Sequence, residues 1–233
     1  MTQLKNLYLF FYNLFQAFGW ALSLFRILSN LFSTKSVNGA YSSAGELICL
    51  LQALAFLEVI HGAIGIVPSG VLLPLMQWGG KTHFLFAIVQ RIHEEQSRYR
   101  KVQELPSVFM TFVIWSLSEM IRYSHYAVNC MGSSPDWITW IRYNAFIFLY
   151  PLGIFPGEMW IMYKALPFIK KENLHADTFP LSYYSFVVVC MHSSLLLFQA
   201  LLFCYPFLWL KLYLHLFKQR RSKLGKHQKT KRN

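Results

Sequence analysis

A phenol and a carboxylate lie eight residues apart, as Tyr150 and Glu158, in the run RYNAFIFLYPLGIFPGE from Arg142 to Glu158. Proton transfer is the chemistry such a pair performs. The run is otherwise apolar and is broken by Pro151, Gly153, Pro156 and Gly157. At bilayer depth a carboxylate costs at least ~2.5–3.5 kcal/mol on insertion scales, and broken helices there line a cavity or pack against protein. The segment therefore reads as the reactive centre of a membrane enzyme. Glu119, Arg122 and Tyr123, with Arg142 and Tyr143, are candidates to surround the pair and stabilise developing charge. Blander roles compete with each of these. Tyr150 fits an interfacial aromatic belt, and Glu158 a snorkelling or helix-pairing group. Glu119 with Arg122, and Glu58 with His61, are each three apart, so each pair shares a helix face and can neutralise itself there. His61 alone reads as a hydrogen-bonded packing residue.

The elements that must position these groups are apolar and helical. Of 233 residues, 55% are hydrophobic and 18% aromatic, with only 14% charged, too apolar for a soluble domain of this size. A hydrocarbon core of roughly 30 Å needs about 20 apolar residues, and six stretches reach or approach that length. They are Leu7–Phe32, Leu47–Val67, Val71–Val89, Pro106–Val128, Ile138–Leu166 and Tyr183–Phe217. The expected fold is all-α, a polytopic membrane helical bundle of six transmembrane helices over residues 1–217, followed by a basic cytosolic tail over 218–233. No repeat or second domain interrupts it. The first stretch has no small-residue cleavage site and is expected to stay as a membrane helix. Gly19, Gly62 and Gly65 are expected at close helix contacts.

The formal charge of +12 resides largely in the tail from Lys218 to Asn233. Directly after a membrane helix such a run is a cytosolic flank drawn to anionic headgroups, so nucleic-acid binding is the wrong inference. Its last five residues, Lys229 to Asn233, fit the K-x-K-x-x retrieval pattern of endoplasmic reticulum membrane proteins. Six spans then put both termini in the cytosol. Arg91, Arg98, Arg100 and Lys101 fall on the lumenal side of this topology, so either the third stretch does not fully cross or the tail outweighs that loop, and the tail is the favoured reading. Cys49, Cys130, Cys190 and Cys204 lack disulfide or metal-ligand spacing.

Four motifs carry a family resemblance: LEVIHGAIGIVPS from Leu57 to Ser69, SEMIRY from Ser118 to Tyr123, IRY from Ile141 to Tyr143, and LYPLG from Leu149 to Gly153. In this order they resemble the very-long-chain (3R)-3-hydroxyacyl-CoA dehydratase family, and its PASTICCINO-like plant branch in particular. The resemblance implies an endoplasmic reticulum enzyme that removes water from a 3-hydroxyacyl-CoA in the third step of fatty-acid elongation. It implies no metal or redox cofactor. Its partners would be the condensing enzyme, the 3-ketoacyl-CoA reductase and the enoyl-CoA reductase. The family is also called protein-tyrosine-phosphatase-like, after a degenerate H-C-x-x-G-x-x-R signature. Here the cysteine position is Gly62 and the arginine position is Pro68, so neither thiolate nor phosphate clamp exists.

The family's catalytic Tyr and Glu map onto Tyr150 and Glu158. The family pattern separates them by seven residues, nearly two helical turns, and here the separation is eight. On a straight helix the extra residue rotates Glu158 by about 100° away from Tyr150. Pro156 and Gly157 are placed to absorb it as a bulge or kink. Dehydration needs a base near the carbon alpha to the thioester and an acid near the departing hydroxyl. Tyr150 and Glu158 fill these positions in either order, with Glu119 as a further carboxylate in reserve. CoA phosphates would meet a basic mouth formed by Arg142, Lys218, Arg220 and Arg221. The rival reading is a catalytically weak acyl-CoA-binding scaffold of the elongase complex, favoured by the longer spacing. A transporter would show repeated halves, and none are present.

Overall fold

The computed structural model describes residues 2–90, 102–132, 134–161, 164, 214 and 218. The chain divides into two compact units, Met1–Lys164 and Ala165–Asn233. Every element below belongs to the first; of the second, Leu214 and Lys218 are described, both helical and exposed. The sixth stretch, the tail beyond Lys218, the basic loop residues from Arg91 to Lys101, and Cys190 and Cys204 otherwise lie outside the described residues.

Every described element is helical: α1 (Thr2–Thr34), α2 (Ala40–Leu54), α3 (Phe56–Ala63), α4 (Leu72–Thr82), α5 (Pro106–Cys130) and α6 (Asp136–Gly153). Two π-helical segments extend α4 and α6, over His83–Gln90 and Ile154–Met159, and a 3₁₀ turn over Val102–Glu104 leads into α5. Over the described residues the first five apolar stretches fall largely on helical runs, the second ending in a turn after Ala63 and the fifth followed to Ile161. Gln3–Thr34 and Ala40–Ala63 are long and apolar enough to cross a membrane, by length and composition. The second run tightens at Ala55, where the Glu58 N–H bonds the Ala55 carbonyl at 3.0 Å. No Gly or Pro marks that join in the sequence.

The core lies between α1, α2 and α5, with α1 packed along α5 and α6 on α5 as well. Trp20, Ile27, Ile48, Leu51, Phe112 and Tyr123 are fully buried there. Gly19 permits the approach of α1 to α2, because a Cβ on it would meet a Leu51 methyl at 2.4 Å. The opposite face of α1 exposes Leu4, Phe11, Phe18, Phe25 and Phe32, one every seventh residue. Water tolerates such a stripe poorly and lipid suits it.

The two other glycines expected at helix contacts serve the turn after α3. Gly65 has φ +72° with open space around it, and the Ile66 N–H bonds the His61 carbonyl at 2.9 Å. That is a glycine-capped helix end, which needs the left-handed region and not a close neighbour. Gly62 meets this turn's return, since a Cβ on it would sit 2.2 Å from the Gly70 carbonyl oxygen.

The second π segment follows from Pro156. A proline has no N–H to give the i−4 carbonyl and its ring collides with that carbonyl, so the helix widens there. Gly153 and Gly157 bring the widened turn onto α5: a Cβ on Gly157 would lie 2.6 Å from Thr111 Oγ1, and one on Gly153 3.1 Å from Ile114 Cγ2.

Candidate active site

Four charges of opposite sign meet where α3, α4 and α5 converge. Arg122 donates to both oxygens of Glu58, at 2.7 and 2.9 Å, and through Nε to Glu119 at 2.6 Å. Lys81 pairs with the other Glu119 oxygen, which also accepts from Gln77 at 3.4 Å. The Tyr123 hydroxyl donates to Glu58. Two cations thus neutralise two carboxylates, and each of the four carboxylate oxygens has a donor, as a buried ion network requires. A cleft of ≈ 20 Å³ opens on this cluster beside Trp20, Gln52 and Trp78. It has room for about one water.

Local spacing explains the α5 side of this network. Trp115, Glu119 and Arg122 stand at i, i+4 and i+7, one face of the helix. The expected Glu119–Arg122 pair forms. The expected Glu58–His61 pairing does not: Glu58 turns to Arg122 and Tyr123, and His61 Nε2 bonds the Tyr8 hydroxyl at 2.8 Å. A guanidinium offers two parallel donors to one carboxylate, which an imidazole on the same helix cannot match. His61 is a buried packing residue, with the Tyr8 and Tyr12 rings edge-on to it.

Glu158 lies on the π turn after α6, next to this network. The Trp115 indole N–H donates to its Oε1 at 2.8 Å; among the described residues no donor reaches Oε2. Trp115 is 4% exposed, walled by Phe84 and Phe112, and the Lys81 ammonium stands 4.9 Å above its ring. Tyr150 lies in the last turn of α6, followed by Pro151, and its side chain is outside what the structure describes. Between the two residues the chain passes through the π turn, which takes up one residue relative to an α-helix.

Glu119, Arg122 and Tyr123 therefore come together, joined by Glu58 and Lys81, and Trp115 links them to Glu158. Arg142 and Tyr143 form a separate group: the Arg142 guanidinium lies 6.0 Å from the Tyr143 ring, which meets His125 edge-on at 5.9 Å. Sequence reasoning missed Lys81 and Trp115. Lys81 is a lone cation inside an apolar stretch, and that isolation was its signal; Trp115 was legible as the residue one turn before Glu119. Among the described residues no group of three His, Cys, Asp or Glu side chains is placed to hold a metal.

Among the described residues, apolar helices around an internally neutral ion cluster, with a carboxylate held apart from it, fit a helical membrane protein. Residues 52–226 match the family model described as protein tyrosine phosphatase-like protein, PTPLA, and the chain belongs to that family. It is 31% identical over 235 residues to the Homo sapiens very-long-chain (3R)-3-hydroxyacyl-CoA dehydratase 2, covering 98% of this chain and 85% of that one. To the Mus musculus dehydratase 2 it is 32% identical over 231 residues, 97% of this chain and 84% of that one. The Arabidopsis thaliana dehydratase PASTICCINO 2 is 32% identical over 181 residues, 77% of this chain and 78% of that one. No solved structure gives a significant match. Where the phosphatase-like signature has its cysteine this chain has Gly62, and a Cβ there would lie 2.2 Å from the Gly70 carbonyl oxygen.

Proposed function

We propose that this protein is a 3-hydroxyacyl-CoA dehydratase that converts long- and very-long-chain (3R)-3-hydroxyacyl-CoA to trans-2-enoyl-CoA and water, using Tyr150 and Glu158. The names of its relatives support the activity and the acyl-CoA substrate. The observation that carries the site is Glu158 itself: a carboxylate turned inward from a π turn, held through one oxygen by a neutral indole. In the reaction a base takes the proton from the carbon alpha to the thioester, an acid protonates the hydroxyl on the next carbon, and water leaves as the double bond forms. Protons balance and no electron acceptor is required. Glu158 as base and Tyr150 as donor is the less demanding order, because a phenol with its ordinary pKa near 10 is a poor base and a good donor.

The π turn also bears on the scaffold reading. Its support was the extra residue between Tyr150 and Glu158, and a π turn compensates for one residue of phase. Glu119, Arg122 and Tyr123 form the supporting wall, and Arg142 with Tyr143 lies toward the CoA end. The protein sits in the endoplasmic reticulum membrane with six spans, residues 1–217, and a cytosolic basic tail, 218–233. It works there in the third step of elongation, beside the condensing enzyme, the 3-ketoacyl-CoA reductase and the enoyl-CoA reductase.

Turnover of a long-chain 3-hydroxyacyl-CoA by the purified protein tests this, beside folded Tyr150→Phe and Glu158→Gln variants. Each substitution is expected to lower kcat by roughly 10²–10⁴-fold, the range for losing a general acid or base. Wild-type turnover with Glu158→Gln intact would shift the role to Glu119. Tight acyl-CoA binding without wild-type turnover would leave the scaffold.

A further inference from the structure

Resting on the reading of Glu158 as catalytic, we propose that Trp115 is a positioning residue: its indole N–H fixes the carboxylate through Oε1 and leaves Oε2 to the substrate, while Lys81 locks the indole. The donor's chemistry is the first argument. A carboxylate in apolar surroundings needs a hydrogen bond, and a lysine or arginine would supply the strongest one. Glu119 has that kind of partner twice over. Glu158 instead receives a neutral N–H at 2.8 Å, which orients it without neutralising it.

The second argument is how firmly the indole is held. Phe84 meets the Trp115 ring at 5.4 Å, Phe112 at 6.5 Å, and Lys81 covers it at 4.9 Å. Lys81 is itself tied to Glu119, one turn along α5 from Trp115, and Glu119 to Arg122. Each link from the ion cluster to Glu158 is thus a direct contact, ending on the one carboxylate oxygen with a donor among the described residues. An indole so enclosed cannot swing, so its N–H points in one direction, the condition for placing a reacting group accurately.

Steady-state kinetics of the full chain in detergent or nanodiscs test this with Trp115→Phe, which keeps a ring under Lys81 and removes the N–H. The expected result is a kcat lower by roughly 10- to 100-fold with KM changed less than about 2-fold. Lys81→Met should lower kcat in the same pattern by a smaller factor. In a Glu158→Gln background, Trp115→Phe should leave the residual single-turnover rate unchanged, because the donor acts only through Glu158. A folded Trp115→Phe enzyme with wild-type kcat, or one whose loss persists in the Glu158→Gln background, overturns the proposal. Full turnover by Glu158→Gln alone defeats the underlying assignment instead, a distinguishable result. Should Trp115→Phe fail to fold, benzothienylalanine at position 115 keeps the ring's shape without its N–H, and the same loss of kcat is expected.

Discussion

Glu119 and Glu158 are neighbours in space and opposites in treatment. Glu119 is gripped by Lys81, Arg122 and Gln77, and among the described residues Glu158 accepts one bond, from Trp115. A carboxylate saturated by cations is committed to the structure, whereas one steadied by a single neutral donor keeps an oxygen for another partner. On the proposed reading, the difference separates the groups that hold the bundle from the group that reacts.

The comparison breaks first at its charged end. Arg122→Met leaves Glu58 without a cation, with the Tyr123 hydroxyl still donating to it, and Glu119 half-paired, and should destabilise the protein by roughly 3–5 kcal/mol, read as a large fall in thermal midpoint in detergent. Glu158→Gln should lower kcat by roughly 10²–10⁴-fold while moving that midpoint little. An Arg122→Met protein as stable as wild type would deny the cluster its holding role. A smaller effect sharpens the other side. Gly157→Ala drives a methyl against Thr111 Oγ1 and should cost about 1–3 kcal/mol, with part of the loss recovered by adding Thr111→Ala. Least of all, Tyr8→Phe removes the bond to His61 and should cost about 0.5–1.5 kcal/mol, with turnover unchanged. A large loss of turnover there would make His61 part of the chemistry and not of the packing.

Helices were legible because apolar length is a property of the chain itself: α1, α5 and α6 lie where their apolar runs put them. So was the distortion after Tyr150, since Pro156 cannot sit in a regular helix without disturbing it. Partner choice was not legible. Glu58 was read with its helix neighbour His61, yet its cation stands 64 residues away on α5. Trp115 and Glu158 are 43 apart, and nothing local to either residue names the other. Periodicity shows which residues share a face; only packing shows what that face meets. Gly65 illustrates the same limit from the other side, because small size and positive φ look identical in a sequence.

The separation of Glu58 from Arg122 also sets a timetable for biogenesis. At synthesis rates of roughly 5–20 residues per second, the arginine emerges about 3–13 s after its carboxylate. Until then Glu58 rides an apolar helix with no guanidinium to meet it. The nascent bundle must therefore wait in a setting wet enough, or chaperoned enough, to tolerate an orphan charge, and α5 is the clasp whose arrival ends the delay.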